Sequence, residues 1–300
     1  MHIGYGILFG LLSATLQYGA FVFSSKFVRE SGRGTLSLLA PAFLAISIPS
    51  LVALPFLAGP ELPPLRVWVV PALLCSFFAI MGNGAVFIML KSVDSSRVVP
   101  LLAVKVPMLA LFCLIANGER YAPRQWLGVA LVVPAAWLLC KAGKKIPVKT
   151  LAWLFLGSAL FGASDYCIRI LLNIFHDCGS LLRVSFLAFC AAYGLGGIFG
   201  ALGMVCGFTP GRGQLTKNVL PFSFFWLVSI AVLFASFAVI GIVNGTIVQS
   251  SRGLIAVMLG WLVARAGFER IEEKVPRMIF IKRVVSAVLI ILAMVLFNLK

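Results

Sequence analysis

The chain has 300 residues, of which 61% are hydrophobic and 11% charged, and it carries a formal charge of +16. A soluble domain has about 25% charged residues, so a water-soluble fold could not hide this much apolar surface, whereas a bilayer is itself an apolar solvent. The cations sit almost wholly between apolar runs and form no basic stripe with interleaved aromatics, which argues against nucleic acid as a partner.

In lipid every spanning segment must satisfy its own backbone hydrogen bonds, so apolar runs of about 20 residues read as helices. Such runs predict an all-α integral membrane protein with about ten spans, near 3–25, 36–58, 67–90, 96–116, 124–142, 151–174, 181–206, 220–243, 246–265 and 278–298. The first run has no Lys or Arg before it and is long for a signal peptide's core, so it reads as a retained span. Connections are short, the longest being Lys141–Thr150, Gly207–Asn218 and Ala266–Arg277, and none has room for a soluble domain.

Span one turns polar at Gln17-Tyr18, and span three carries Asn83 between Gly82 and Gly84. Span four holds Lys105 two residues before Pro107, which is expected to loosen the local backbone. Span six holds Asp165 and Tyr166, with Arg169 one turn on, and Asp165 is the mid-span acid of the sequence. Span seven has Tyr193 and a face of Gly196, Gly200, Gly203 and Gly207 suited to close helix packing. Span nine opens on Gln249-Ser250-Ser251-Arg252. Pro41, Pro49, Pro55, Pro71, Pro100, Pro107 and Pro134 all fall in first-half spans, so that half is expected to bend and move more.

The chain reads as a duplication. Asn117-Gly118-Glu119-Arg120 lies between spans four and five, and Gly267-Phe268-Glu269-Arg270 lies between spans nine and ten, half a chain on. The expected units are residues 1–145 and 146–300, each a five-helix repeat. Five spans per half invert the two repeats in the bilayer, an architecture that places a substrate site near the midplane between them. The stretch Met89-Leu90-Lys91-Ser92-Val93, through Pro107 and Gly118-Glu119-Arg120 to Gln125-Trp126-Leu127-Gly128, resembles the drug/metabolite transporter superfamily, EamA type. The second half departs from the family pattern: its ninth span has no proline, and Phe268 stands where the family often has glycine. The resemblance implies alternating access of two five-helix halves around a central cavity, with helices five and ten toward the outside.

Counting Lys and Arg by loop puts the loops after odd-numbered spans in the cytoplasm and both termini outside. The resemblance implies both termini inside.

A charge at hydrocarbon depth costs from about 2.5 to well over 10 kcal/mol, so it needs a partner or a wet cavity. Lys105 and Arg252 read as paired cations for a carboxylate or phosphate. The competing readings are an ion pair locking two helices for Lys105, and an interfacial anchor for Arg252. Asp165 is a candidate proton-coupling acid or the partner of a substrate amine. Its alternative is an intrahelical pair with Arg169. Gln17, Tyr18, Asn83, Tyr166, Gln249 and Ser251 complete the candidate substrate-binding set, although a helix–helix bond is the commoner fate of a residue such as Asn83.

The seven cysteines are scattered without a CxxC and read as packed thiols. With His2 and His176 as the histidines, no metal site, P-loop or cofactor motif is expected. The function expected is secondary, ATP-independent transport of small anionic or zwitterionic metabolites such as amino acids or organic acids, in the cell membrane (the inner membrane in a bacterium). Its partners are a small-molecule substrate and the bilayer, with a homodimer left open. The alternatives are a neutral sugar carrier, a membrane-embedded lipid-handling enzyme and a non-transporting membrane scaffold.

Overall fold

A computed structural model describes residues 3–91, 93, 98–99, 101–118, 120–140, 147–253, 255, 258 and 277–298. Among them the chain is helical and has no strand. In chain order the helices are α1 (Ile3–Ser31), α2 (Leu36–Leu57), α3 (Leu65–Leu90), α4 (Lys105–Asn117), α5 (Pro123–Cys140), α6 (Val148–Ile174), α7 (Leu181–Val205), α8 (Leu220–Ile240), α9 (Ile242–Ser250) and α10 (Arg277–Asn298). Among the described residues, six helical stretches are long and apolar enough to cross a membrane: α1, α2, α3, α6, α7 and the run Leu215–Ile240 that contains α8. Most of expected span nine beyond Arg252, and the Gly-Phe-Glu-Arg turn at 267–270, lie outside the described residues.

Three local features differ from the expectation. Expected span eight stops at Ile240, because Gly241 adopts φ 79° and starts a new helix at once. Only glycine takes such a conformation without strain, and it splits an apolar run that shows no polar boundary. Pro107 lies in the first turn of α4, where its missing N–H is harmless. The irregular backbone sits just before it, in a 3-10 turn at Leu102–Val104. The turn after α4 needs Gly118 in the left-handed region, at φ 65°, to close the helix.

The helices pack chiefly as cross-half pairs: α1 with α8, α2 with α7, α3 with α6, and α5 with α10. Lipid tails give helices little hydrophobic reason to associate, so close packing and hydrogen bonds must do it. Each pair has a serine that donates to a carbonyl on the opposite helix. Ser236 Oγ reaches Gly6 O at 2.8 Å, Ser47 Oγ reaches Gly194 O at 2.7 Å, Ser164 Oγ reaches Cys75 O at 2.9 Å and Ser286 Oγ reaches Ala135 O at 2.6 Å. The closest crossing is α2 on α7. A β-carbon on Gly200 would stand 2.7 Å from both Ala40 O and Leu44 N, which are backbone atoms that cannot step aside.

The two ends of the bundle are tied by a matching pair of arginines. Arg33, just after α1, donates from Nη1 to Thr209 O at 2.8 Å in the α7–α8 loop. Arg183, early in α7, donates from Nε to Leu57 O at 3.0 Å at the end of α2. Beside the first of these, Lys217 Nζ meets Glu30 Oε2 at 3.1 Å.

Gly200→Leu is expected to separate α2 from α7 and cost about 1–3 kcal/mol or more, as overpacking does. Gly84→Ala meets open space and should leave the molecule unchanged. Thermal midpoints of the two variants in detergent, followed by size-exclusion retention, check this contrast.

Candidate functional site

The polar residues of the spans meet where α1, α4, α6 and α9 converge. Lys105, the first residue of α4, is 3% exposed. Its Nζ lies 2.8 Å from Asp165 Oδ2 on α6 and donates to Gln249 Oε1 on α9 at 2.5 Å. Thr246, one turn before Gln249, donates to the same carboxylate oxygen at 3.1 Å. Asp165 is thus held from two other helices, while Arg169, one turn along α6, lines a different hollow. The Lys105 link joins α4 to α6, which is the helix-locking arrangement foreseen as the alternative to a purely functional lysine.

Arg252, just past α9, is 3% exposed, so it is no interfacial anchor. Its Nη1 donates to Gln17 Oε1 on α1 at 2.7 Å. Its Nε and Nη2 are buried and have no hydrogen-bond partner among the described residues. Leaving charged donors unsatisfied in a dry site costs more than leaving neutral ones, and charge-assisted bonds to an anion would be correspondingly strong.

These groups line one hollow of about 20 Å³, walled by Ala79, Phe161, Ile168, Tyr193, Ile230 and Leu233 among others. Of the residues singled out in the sequence, Gln17, Lys105, Asp165, Tyr193, Gln249 and Arg252 line it. The others do not. Asn83 is buried and donates from Nδ2 to Ala79 O on its own helix at 2.8 Å. Tyr18 is buried in the core, Tyr166 packs against it half-buried, and Ser251 Oγ is buried without a partner. Thr246, Phe161 and Trp226 were not singled out. Tyr193 stacks on Phe43 and Phe189 with centroids 5.8 and 5.2 Å apart, so it packs and lines the hollow at once. Thr246 could have been found from its place one turn before Gln249 on the same helical face.

A second hollow, of about 530 Å³, shares α6, α7, α8 and α9 with the first. Arg169, Leu172 and Asn173 of α6, Phe237 and Ile240 of α8, and Val243 and Asn244 of α9 are among its walls. Ile168 borders the small hollow and Leu172 the large one, a separation of about 6 Å along the helix. Among the described residues, no aspartate or glutamate lines the large hollow. Its size suits a small metabolite. Cys75, Cys167 and Cys190 are buried thiols away from any metal-binding group of side chains, none of which occurs among the described residues.

Residues 4–140 match the family described as the EamA-like transporter family. Among solved structures, a protein 15% identical in sequence superposes with a TM-score of 0.61, over 98% of this chain and 96% of its own, which shows a shared fold. No curated protein matches the chain.

Removing one partner of a buried ion pair strands the other charge, at about 3–5 kcal/mol. Lys105→Ala and Asp165→Ala should each lower the thermal midpoint markedly. The double change Lys105→Met with Asp165→Leu should regain most of the loss. A double-mutant cycle in detergent measures the coupling, and additive losses would show that the pair does not join the helices.

Proposed function

We propose, on the premise that residues 4–140 belong to the EamA-like transporter family of the drug/metabolite transporter superfamily, that this membrane transporter moves small anionic or zwitterionic metabolites across the cell membrane by secondary transport. The observation that carries the reading is Arg252: a buried guanidinium with two unpartnered nitrogens facing a hollow that two cations share with one carboxylate. Such a site favours a guest that brings negative charge, and the Nε–Nη2 edge of a guanidinium matches a carboxylate or phosphate.

Alternating access of two inverted repeats, residues 1–145 and 146–300, is the mechanism that fits. The helix pairing supports it. Exchanging the first five helices with the last five turns α1–α8 into α6–α3, and returns α2–α7 and α5–α10 to themselves. The reciprocal arginine ties obey the same exchange, with Arg33 reaching the second half and Arg183 the first. The cluster joins α4 and α9, which are counterparts under that exchange, through Lys105 and Gln249. The small hollow cannot hold a metabolite, so a guest that enters by way of the larger hollow must part these helices. Competition for Lys105, Gln17 and Gln249 gives the guest a way to do so. Asp165, already bonded to Lys105 and Thr246, is placed to take a substrate amine or a proton when that lysine is drawn away.

Reconstitution in liposomes tests the reading with a panel of radiolabelled small carboxylates, amino acids and neutral sugars. At least one anion or zwitterion should accumulate or exchange, and Arg252→Gln should cut its initial rate about tenfold or more, the loss expected for a charge-assisted contact. Transport of neutral sugars alone, or full activity in Arg252→Gln, would reject the anion site. Asp165→Asn should flatten the pH dependence of uptake, and an unchanged profile would remove Asp165 from coupling.

A further inference from the structure

We infer that the small hollow is also a binding site for a single monoatomic anion, a halide such as chloride, held by Arg252. The inference rests on the reading of Arg252 as the anion-receiving group, and adds a ligand of different size and chemistry from the transported metabolite.

Charge requires it first. Lys105 is matched by Asp165 at 2.8 Å, and Gln249 and Thr246 complete that arrangement with neutral groups. Among the described residues, Arg252 bonds the neutral amide oxygen of Gln17. Two cations and one carboxylate among the lining residues leave one positive charge behind walls of Phe161, Ile168, Ile230 and Leu233. An uncompensated buried charge is severely unfavourable. A water molecule would fit but brings no charge.

Geometry then selects the guest. Nη1 is turned to Gln17, so the unpartnered Nε and Nη2 are the two donors on the other edge of the guanidinium. Both can point at one spherical acceptor. The hollow is about 20 Å³, little more than the space one water needs, so a single atom fits whereas a carboxylic acid with its carbon chain does not. A halide would therefore occupy Arg252 while the helices are together, and an organic anion would replace it when they part. Chloride and the transported anion should exclude each other.

The test titrates sodium chloride against sodium methanesulfonate at constant ionic strength, reading the thermal midpoint of the purified full chain in detergent. Bromide serves as a second halide. Chloride should raise the midpoint saturably, by roughly 3 °C or more at saturation, as binding to the folded state alone does. Arg252→Gln should abolish the rise. Gln17→Glu, which places a carboxylate against Arg252 from within, should abolish it too, and keeps the test open if Arg252→Gln does not fold. In liposomes, chloride should raise the apparent KM of the transported anion with little change in maximal rate.

A chloride response equal to that of methanesulfonate, or one that survives in both variants, overturns the inference. If that happens while an Arg252-dependent organic anion is still transported, the halide site is wrong and the transport reading stands. If no organic anion is transported either, both fall.

Discussion

The bond from Lys105 to Asp165 is the constraint around which the bundle is arranged. A lone ammonium or carboxylate has no place at hydrocarbon depth, so each must be brought within reach of the other as the helices assemble. Meeting that demand sets α4 against α6 and, through Gln249 and Thr246, sets α9 against both. The serine-to-carbonyl bonds and the glycine contact between α2 and α7 hold the frame around this centre. They supply packing where water cannot drive it.

On the proposed reading, one centre serves two demands that pull in different directions. A frame is most stable when every charge is matched, as Asp165 is. A binding site needs a charge that is not matched from within, as at Arg252. The chain separates the two on neighbouring residues of one short segment, with Gln249 serving the lysine and Arg252, three positions on, left with spare donors. Gln17 and Gln249 are suited to their places because an amide oxygen can hold a cation without cancelling its charge. A carboxylate at either position would hold more firmly and give up its cation less readily.

Much of this centre could be read from the residues alone, for a definite reason. Ionised side chains within apolar runs are so costly that each one stands out, and Lys105, Asp165 and Arg252 do meet around one hollow. Uncharged groups carry a weaker signal. Thr246 tolerates lipid-facing and cavity-facing positions alike, so nothing in its type announced the bond to Asp165. Asn83 looked equally polar, yet satisfies its amide on its own helix. The junction of α8 and α9 was misplaced because Val239-Ile240-Gly241-Ile242-Val243 contains no polar residue, and only backbone conformation betrays the break. Which helix lies against which is a property of the folded pair, and was visible only as spacing between the Gly-Glu-Arg and Gly-Phe-Glu-Arg turns.

The surplus cation has an electrical consequence. If the site is exposed first to one face and then the other, the protein with neither a halide nor an organic anion on Arg252 carries about one elementary charge through part of the membrane field, worth up to about 2.3 kcal/mol per 100 mV. A monovalent guest cancels that charge, so the loaded passage is close to electroneutral. Voltage would then act chiefly on the return stroke, and turnover would depend on membrane polarisation even for a cargo that itself crosses without feeling it.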